Sequence, residues 1–270
     1  MAILNVFSRT PALLAMSAAS LDRVSDGRAR LGIGTSHPST VEGLHGLPFE
    51  RPVTRIEETV ELLARFFDDG GPVSYDGDCF SVDGERFRPL DVDVPVYNAA
   101  LGTRNRWLTG RLCDGWVPNQ IPMGALGDYF ETVADGAKAA GRDPDDIHVT
   151  PWVPAAVSDD GEVARDAIRE CIAFYIGNFK FYRNTVGEAY PESADRIAEI
   201  WAEDRSSAAD AVGEELVETM GIAGTPDRAH RQLRELAADP LIDVPVLSFP
   251  PTADQDLIER TIEVLSPATL

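Results

Sequence analysis

Short apolar segments alternate with amphipathic helical segments about six times along this chain, an order that implies parallel strands joined by right-handed crossovers. That alternation limits the fold more than any other feature of the 270 residues. An open doubly wound sheet and a closed barrel both satisfy it. The strands are expected at residues 2–7, 28–34, 94–100, 114–119, 147–157 and 244–249. A length prior of ~150 residues per domain allows one or two domains, and α/β barrels exceed ~200 residues as single units.

Between these strands the helices carry their own start and stop signals. Thr10-Pro11 reads as a cap followed by a first-turn proline. Leu14, Ala18 and Leu21 then recur at helical spacing, with Leu13, Met16 and Val24 beside them and Gly27 closing the helix. Residues 36–52 make a loop longer than a simple connection needs, and loops of that length tend to be functional. Val53, Ile56, Val60, Leu63 and Phe67 step by three and four, with Glu57, Glu58 and Glu61 on the polar side. Gly70-Gly71 ends that helix. Residues 72–90 read as a hairpin, with Tyr75, Phe80, Val82 and Phe87 interleaved with turns at 76–78 and 83–84. Residues 178–213 interrupt the alternation with a helical insertion containing Ile197, Ile200 and Trp201. It serves as packing bulk or as a lid or dimer surface.

Charge narrows the partners. Asp and Glu number 45 against 24 Lys and Arg, a formal charge of -21, and only Lys138 and Lys180 are lysines. Such a surface suits the protein of an extreme halophile, where carboxylates keep the chain dispersed in concentrated salt; a merely acidic protein is the alternative. Nucleic acid and anionic membrane are excluded as partners, since both select clustered Lys and Arg. Cys79, Cys113 and Cys171 are odd in number, widely spaced and outside any CxxC, which fits a reducing cytoplasm with no disulfide framework and no metal site. No apolar run approaches the ~18 residues of a membrane helix, and the N-terminus has no signal-peptide pattern.

Three places can carry chemistry. Gly32-Ile33-Gly34 is half of a dinucleotide fingerprint, but His37 stands where the third glycine belongs. Asn98-Ala99-Ala100-Leu101-Gly102-Thr103 ends a strand and opens a helix, where small residues let backbone N–H groups approach an anion such as phosphate; an ordinary βα turn is the plain alternative. His37 and His45 flank the long loop, and a histidine at a strand end can serve as general acid or base. Glu42 and Glu50 are expected to be solvated or paired with Arg51 and Arg55. Ser17 and Ser20 lack a GxSxG context, so no hydrolase triad is supported.

Residues 9–36 (RTPALLAMSAASLDRVSDGRARLGIGTS), followed by LHGLPFERPVTRIEETVELL, VPVYNAALGTRNRWLTGRLCDGWVPN and GIAGTPDRAHRQLREL, resemble the bacterial-luciferase-like superfamily, in particular its branch using coenzyme F420, a deazaflavin. The resemblance covers nearly the whole chain and implies one α/β domain over 1–270, a TIM-type (β/α)8 barrel with insertions and its site at the C-terminal strand ends. It implies a hydride transfer between the deazaflavin and a small organic substrate: a methylene-tetrahydropterin, an alcohol or a sugar. An FMN-dependent monooxygenase is the alternative. Many members carry a non-proline cis peptide in the third strand, which by similarity falls at Ala2-Ile3, behind the ring, with Asn5 beside it. Gly34, Thr35 and Ser36 are then expected along the ring or ribityl chain, and the backbone of Ala99, Ala100, Leu101, Gly102 and Thr103 at the phosphate. His37 stands where some F420-dependent dehydrogenases carry a catalytic glutamate, which implies an acid/base role. Dimers are common in the family. Members have two βα units before this point, so about six of the eight are expected here. A miscalled or truncated start is the favoured explanation. A non-catalytic remnant that binds a cofactor or partner is the competing one.

The charge balance makes a thermal prediction. The melting temperature should rise steadily from 0.1 M to molar KCl, about the range over which the Debye length shrinks from 10 to 3 Å. A scanning-calorimetry midpoint indifferent to KCl would remove the halophile reading.

Overall fold

In the first sheet, parallel pairing sets Leu4 opposite Ile33 and Asn5 opposite Gly34, then Ile33 opposite Asn98 and Asn98 opposite Trp116. The computed structural model describes residues 3–68, 72–84 and 90–267. Ala2, Gly70, Gly71 and Phe87 therefore lie outside the described residues. The elements run β1 (Leu4–Asn5), α1 (Pro11–Ser25), β2 (Leu31–Gly34), α2 (Pro38–Gly43), α3 (Pro52–Phe67), β3 (Val73–Asp76), β4 (Ser81–Gly84), β5 (Val96–Asn98), α4 (Thr103–Leu112), β6 (Gly115–Trp116) and α5 (Leu126–Ala139). They continue as β7 (His148–Val149), β8 (Trp152–Val157), α6 (Gly161–Asn178), α7 (Lys180–Ala189), α8 (Pro191–Glu203), α9 (Glu214–Met220), β9 (Ile222–Gly224), α10 (Pro226–Ala237), β10 (Val246–Ser248) and α11 (Gln255–Leu265). The chain divides into two compact units, residues 1–117 with 131–148, and residues 118–130 with 149–270.

In the first unit the sheet order is β1-β2-β5-β6-β7. Thr10 caps α1, its Oγ1 accepting from the Leu13 N–H at 3.3 Å, and the helix stops at left-handed Asp26 and Gly27. Its buried face is Leu14, Ala15, Ala18 and Ala19, against α3. Leu21, expected on that face, is 40% exposed. The buried arc centres on Pro11, Ala15, Ala18 and Ala19, and at about 100° per residue Leu21 falls on its edge. The stripe of α3 is as spaced: Ile56, Val60, Leu63 and Phe67 are buried, joined by Leu62 and Phe66.

Glu58 departs from the expected polar face. It is 5% exposed, and its carboxylate accepts from the backbone N–H groups of Asp78, Cys79 and Phe80 at 2.7, 2.9 and 2.9 Å. A buried carboxylate is tolerated when several N–H donors replace its water, and here it holds the turn between β3 and β4. Its neighbours on α3 are also used: Glu57 pairs with Arg111 at 2.8 Å, and Glu61 accepts from the Tyr75 hydroxyl at 2.8 Å. The second turn expected at 83–84 is absent, because Asp83 and Gly84 pair with Ser74 and Val73.

The second unit holds a parallel sheet of order β10-β8-β9. The single strand expected over 147–157 is two strands, broken at Thr150-Pro151. Pro151 has no N–H to give, and around it the ladder is replaced by Val149 N–H to Asp243 Oδ2 at 2.7 Å and Trp152 N–H to the Pro118 carbonyl at 2.8 Å. Helices α6 to α9 build this unit's largest core around Ile168, Ile172, Ile197 and Leu216. Phe174, Tyr175, Phe179, Tyr182 and Trp201 stack edge-on over part of it. Arg165, 9% exposed at its side chain, binds Glu218 at 2.8 Å and also Glu214. Among the described residues no helix is long and apolar enough to cross a membrane, and no group of three or more His, Cys, Asp or Glu could hold a metal ion.

Helices α4 and α5 touch through two glycines. A Cβ on Gly110 would overlap the Val133 carbonyl oxygen, and one on Gly136 the Trp107 carbonyl oxygen. Gly110→Ala should therefore lower stability by about 2–3 kcal/mol in urea denaturation. Gly127→Ala on α5, where a Cβ meets nothing within 4 Å, should leave it unchanged or raise it by up to ~1 kcal/mol. Equal midpoints for the two variants would contradict this packing.

Candidate active site

The C-terminal ends of β1, β2, β5 and β6 lie side by side in the first unit, because their register is parallel. The ladder continues one residue past the strands: Val6 N–H donates to the Gly34 carbonyl at 3.2 Å, Ala99 N–H to Ile33 at 2.9 Å, and Val117 N–H to Asn98 at 3.0 Å. This is where an α/β fold gathers loops from different strands.

Three of the positions singled out in the sequence meet here. A Cβ added to Gly34 would sit 2.8 Å from Ile3 Cγ2 and 3.5 Å from Ala99 Cβ, so any larger residue there would have to displace the Ile3 side chain. Asn5, at the end of β1, accepts from the Phe7 N–H at 2.6 Å through Oδ1, while its buried Nδ2 has no hydrogen-bond partner among the described residues. Thr35, Ser36 and His37 follow β2 and are all half-buried. Ser36 is left-handed at φ 59, which turns the chain sharply off the strand. His37 is the residue before α2, and its carbonyl accepts from Thr40 and Val41 at 3.1 and 2.9 Å. The expected long loop thus contains a short helix. Burial lowers the imidazole pKa from its ordinary 6.5, so the ring is neutral near pH 7.

The turn after β5 is tied down from behind. Asn98 is fully buried, and its Nδ2 donates to Asn105 Oδ1 at 3.1 Å and Thr109 Oγ1 at 2.9 Å, fastening the strand end to α4. The Trp116 indole N–H donates to the Ala100 carbonyl at 2.8 Å, and Arg106 Nη1 donates to the Leu101 carbonyl at 2.6 Å. Gly102 precedes α4, whose first turn carries no acid, and a Cβ there would meet nothing within 4 Å. Open space, a helix N-terminus and small residues suit a phosphate.

Other expectations resolve differently. His45 is exposed. Glu42 accepts from the Phe49 N–H at 3.4 Å, Arg51 pairs with Asp78 at 2.8 Å, and Arg55 lies 4.9 Å from both the Phe7 and Phe80 rings. Glu42 and Glu50 are both exposed, in line with the solvated alternative, and among the described residues neither arginine bonds them. Cys113 and Cys171 are buried thiols pushed up to about 12 by desolvation, unsuited to nucleophilic work. Trp116 and Arg106 escaped the sequence reading, because a Trp in a strand and an Arg in a helix carry no positional signal of their own. Gln120 also escaped it: in the second unit it is 2% exposed and left-handed at φ 54, with Nε2 3.6 Å from Cys171 Sγ.

Residues 1–243 match the family model described as luciferase-like monooxygenase. The chain belongs to the luciferase-like monooxygenase family. Membership carries the class of activity, oxidoreduction. Among curated relatives, the 5,10-methylenetetrahydromethanopterin reductase of Methanolobus tindarius is 27% identical over 250 residues, covering 87% of this chain and 72% of the relative. Among solved structures, the coenzyme F420 dependent tetrahydromethanopterin reductase from Methanopyrus kandleri superposes with a TM-score of 0.77 at 27% identity, over 97% of this chain and 79% of that one. The fold is thus the α/β fold of that TIM-barrel reductase, with parallel sheets and surrounding helices. The oxygenating constituent of 3,6-diketocamphane monooxygenase from Pseudomonas putida, in complex with FMN, shares the fold at a TM-score of 0.64 and 17% identity, over 97% of this chain and 76% of that one.

The lowered pKa of His37 has a sign in stability. The unfolded chain takes up the proton first as pH falls through 6.5, so His37 costs stability between 6.5 and its folded midpoint. NMR titration should place that midpoint below 6.5, and His37→Gln should flatten the decline in urea stability over this window. A folded midpoint above 6.5 would contradict the burial argument.

Proposed function

We propose that this chain is a coenzyme F420-dependent oxidoreductase acting on a small organic substrate. The carrying observation is the strand-end arrangement of the first unit: Gly34 against Ile3 and Ala99, beside the Ala100-Leu101-Gly102-Thr103 turn, open at Gly102, at the start of α4. Bound there, the deazaflavin supplies a carbon that gives or accepts hydride.

The residues present fit such a group. Ile3, and Ala2 by similarity, would back the ring, and the missing side chain at Gly34 leaves room for the Ile3 Cγ2 methyl. Asn5 brings a buried amide whose Nδ2 lacks a partner among the described residues. Thr35 and Ser36 would set their hydroxyls along the chain that links ring and phosphate. The backbone N–H groups of Leu101, Gly102 and Thr103 would hold the phosphate, whose charge suits the positive end of α4, since those of Ala99 and Ala100 already donate to the Ile33 and Asn98 carbonyls. His37, neutral near pH 7, would take or return the substrate proton. What favours deazaflavin over FMN is that the structure named as coenzyme F420 dependent stands at 27% identity over 97% of this chain, against 17% for the FMN complex.

Equilibrium titration in molar KCl, with F420 and separately with FMN, tests the choice. F420 should bind at least tenfold more tightly, a difference of about 1.4 kcal/mol. Tight FMN binding with no F420 binding would replace the deazaflavin by flavin and the reductase by a monooxygenase.

A further inference from the structure

The geometry points to Trp116 and Arg106 as positioning residues that aim the backbone of the phosphate-binding turn, an inference that rests on the site reading above. Both side chains are nearly fully buried, at 1% and 3% exposure. Buried to that extent, they act through the turn they hold and not by meeting a ligand from solvent.

Each holds one carbonyl of the turn. The Trp116 indole N–H takes the Ala100 oxygen at 2.8 Å, and the Arg106 guanidinium takes the Leu101 oxygen at 2.6 Å. In a planar trans peptide the C=O and the following N–H point in opposite directions. The Leu101 N–H is therefore directed away from Trp116, and the Gly102 N–H away from Arg106. Successive N–H groups presented by a turn bind anions, and the space beside Gly102 is open. Both ends of the turn are also held: Ala99 N–H bonds the Ile33 carbonyl at 2.9 Å, and Asn98 fastens the strand end to Asn105 and Thr109. Without the two anchors, a peptide next to Gly102 could rotate at small cost, since glycine has wide backbone freedom, and the N–H groups would lose their direction before a ligand arrives. Arg106 additionally keeps a positive charge within the first turn of α4, where an anion is favoured.

The role predicts a loss confined to ligands that carry the phosphate. Binding is measured for F420 against its phosphate-free deazaflavin riboside, and for FMN against riboflavin, by wild type and Trp116→Phe. The variant should bind the phosphate-bearing member roughly tenfold more weakly, the usual consequence of losing one buried hydrogen bond, with the phosphate-free member changed less than twofold. Should Trp116→Phe fail to fold, Arg106→Lys, which keeps the charge but loses the planar fork, is expected to shift the same ratio. In wild type, the Trp116 Hε1 NMR resonance should move with F420 and stay in place with the phosphate-free riboside. Equal weakening of both members, an unchanged ratio in a folded variant, or an Hε1 shift indifferent to the phosphate overturns the positioning role alone. Wild type that binds neither F420 nor FMN overturns the functional reading and this inference with it.

Discussion

Parallel hydrogen-bond register places four strand ends together, and the site of the first unit depends on it. Asn5 faces Gly34, Ile33 faces Asn98, and Asn98 faces Trp116. A one-residue slip in any pair would turn the side chains to the other face of the sheet. The register is held by the apolar core that the same strands bury, with Leu31, Ile33 and Val96 on β2 and β5. Chemistry and stability therefore share one ladder, and the positions just past it are available for loops.

Buried polar groups act as joints in that scaffold. Glu58 gathers three backbone N–H groups of the hairpin turn, Asn98 links β5 to α4, and Trp116 and Arg106 hold two carbonyls of the turn between them. A polar group inside a protein is costly unless bonded, so each of these bonds restricts the backbone it reaches to a narrow range. The result is a strand end with little freedom on the protein side and open space at Gly102. That combination suits the recognition of an anion by backbone alone.

Much of the secondary structure was legible from residue pattern. The α3 stripe and the cap at Thr10 depend on neighbours within one helical turn, and they appear where the spacing puts them. Errors arose where distant residues decide. Leu21 had helical spacing, yet it falls on the edge of the arc that Pro11, Ala15, Ala18 and Ala19 bury. Glu58 looked like one more surface acid beside Glu57 and Glu61 until the hairpin folded over it. Residues 147–157 read as one apolar strand, although Pro151 divides them between two sheets.

The sequence by itself determined most of the strand–helix order, the family and the glycine-marked strand ends, because each is written in adjacent residues or in their local spacing, but β9 at Ile222–Gly224 was not among the expected strands. Only the tertiary structure decided that Ile3 meets Gly34, that Trp116 reaches the Ala100 carbonyl across 16 positions, and that Glu58 faces inward. Local spacing reports which face of a helix or strand is apolar. It holds no record of which distant backbone group will arrive opposite a polar side chain, and that arrival turns Trp116 and Arg106 from packing residues into anchors of the turn.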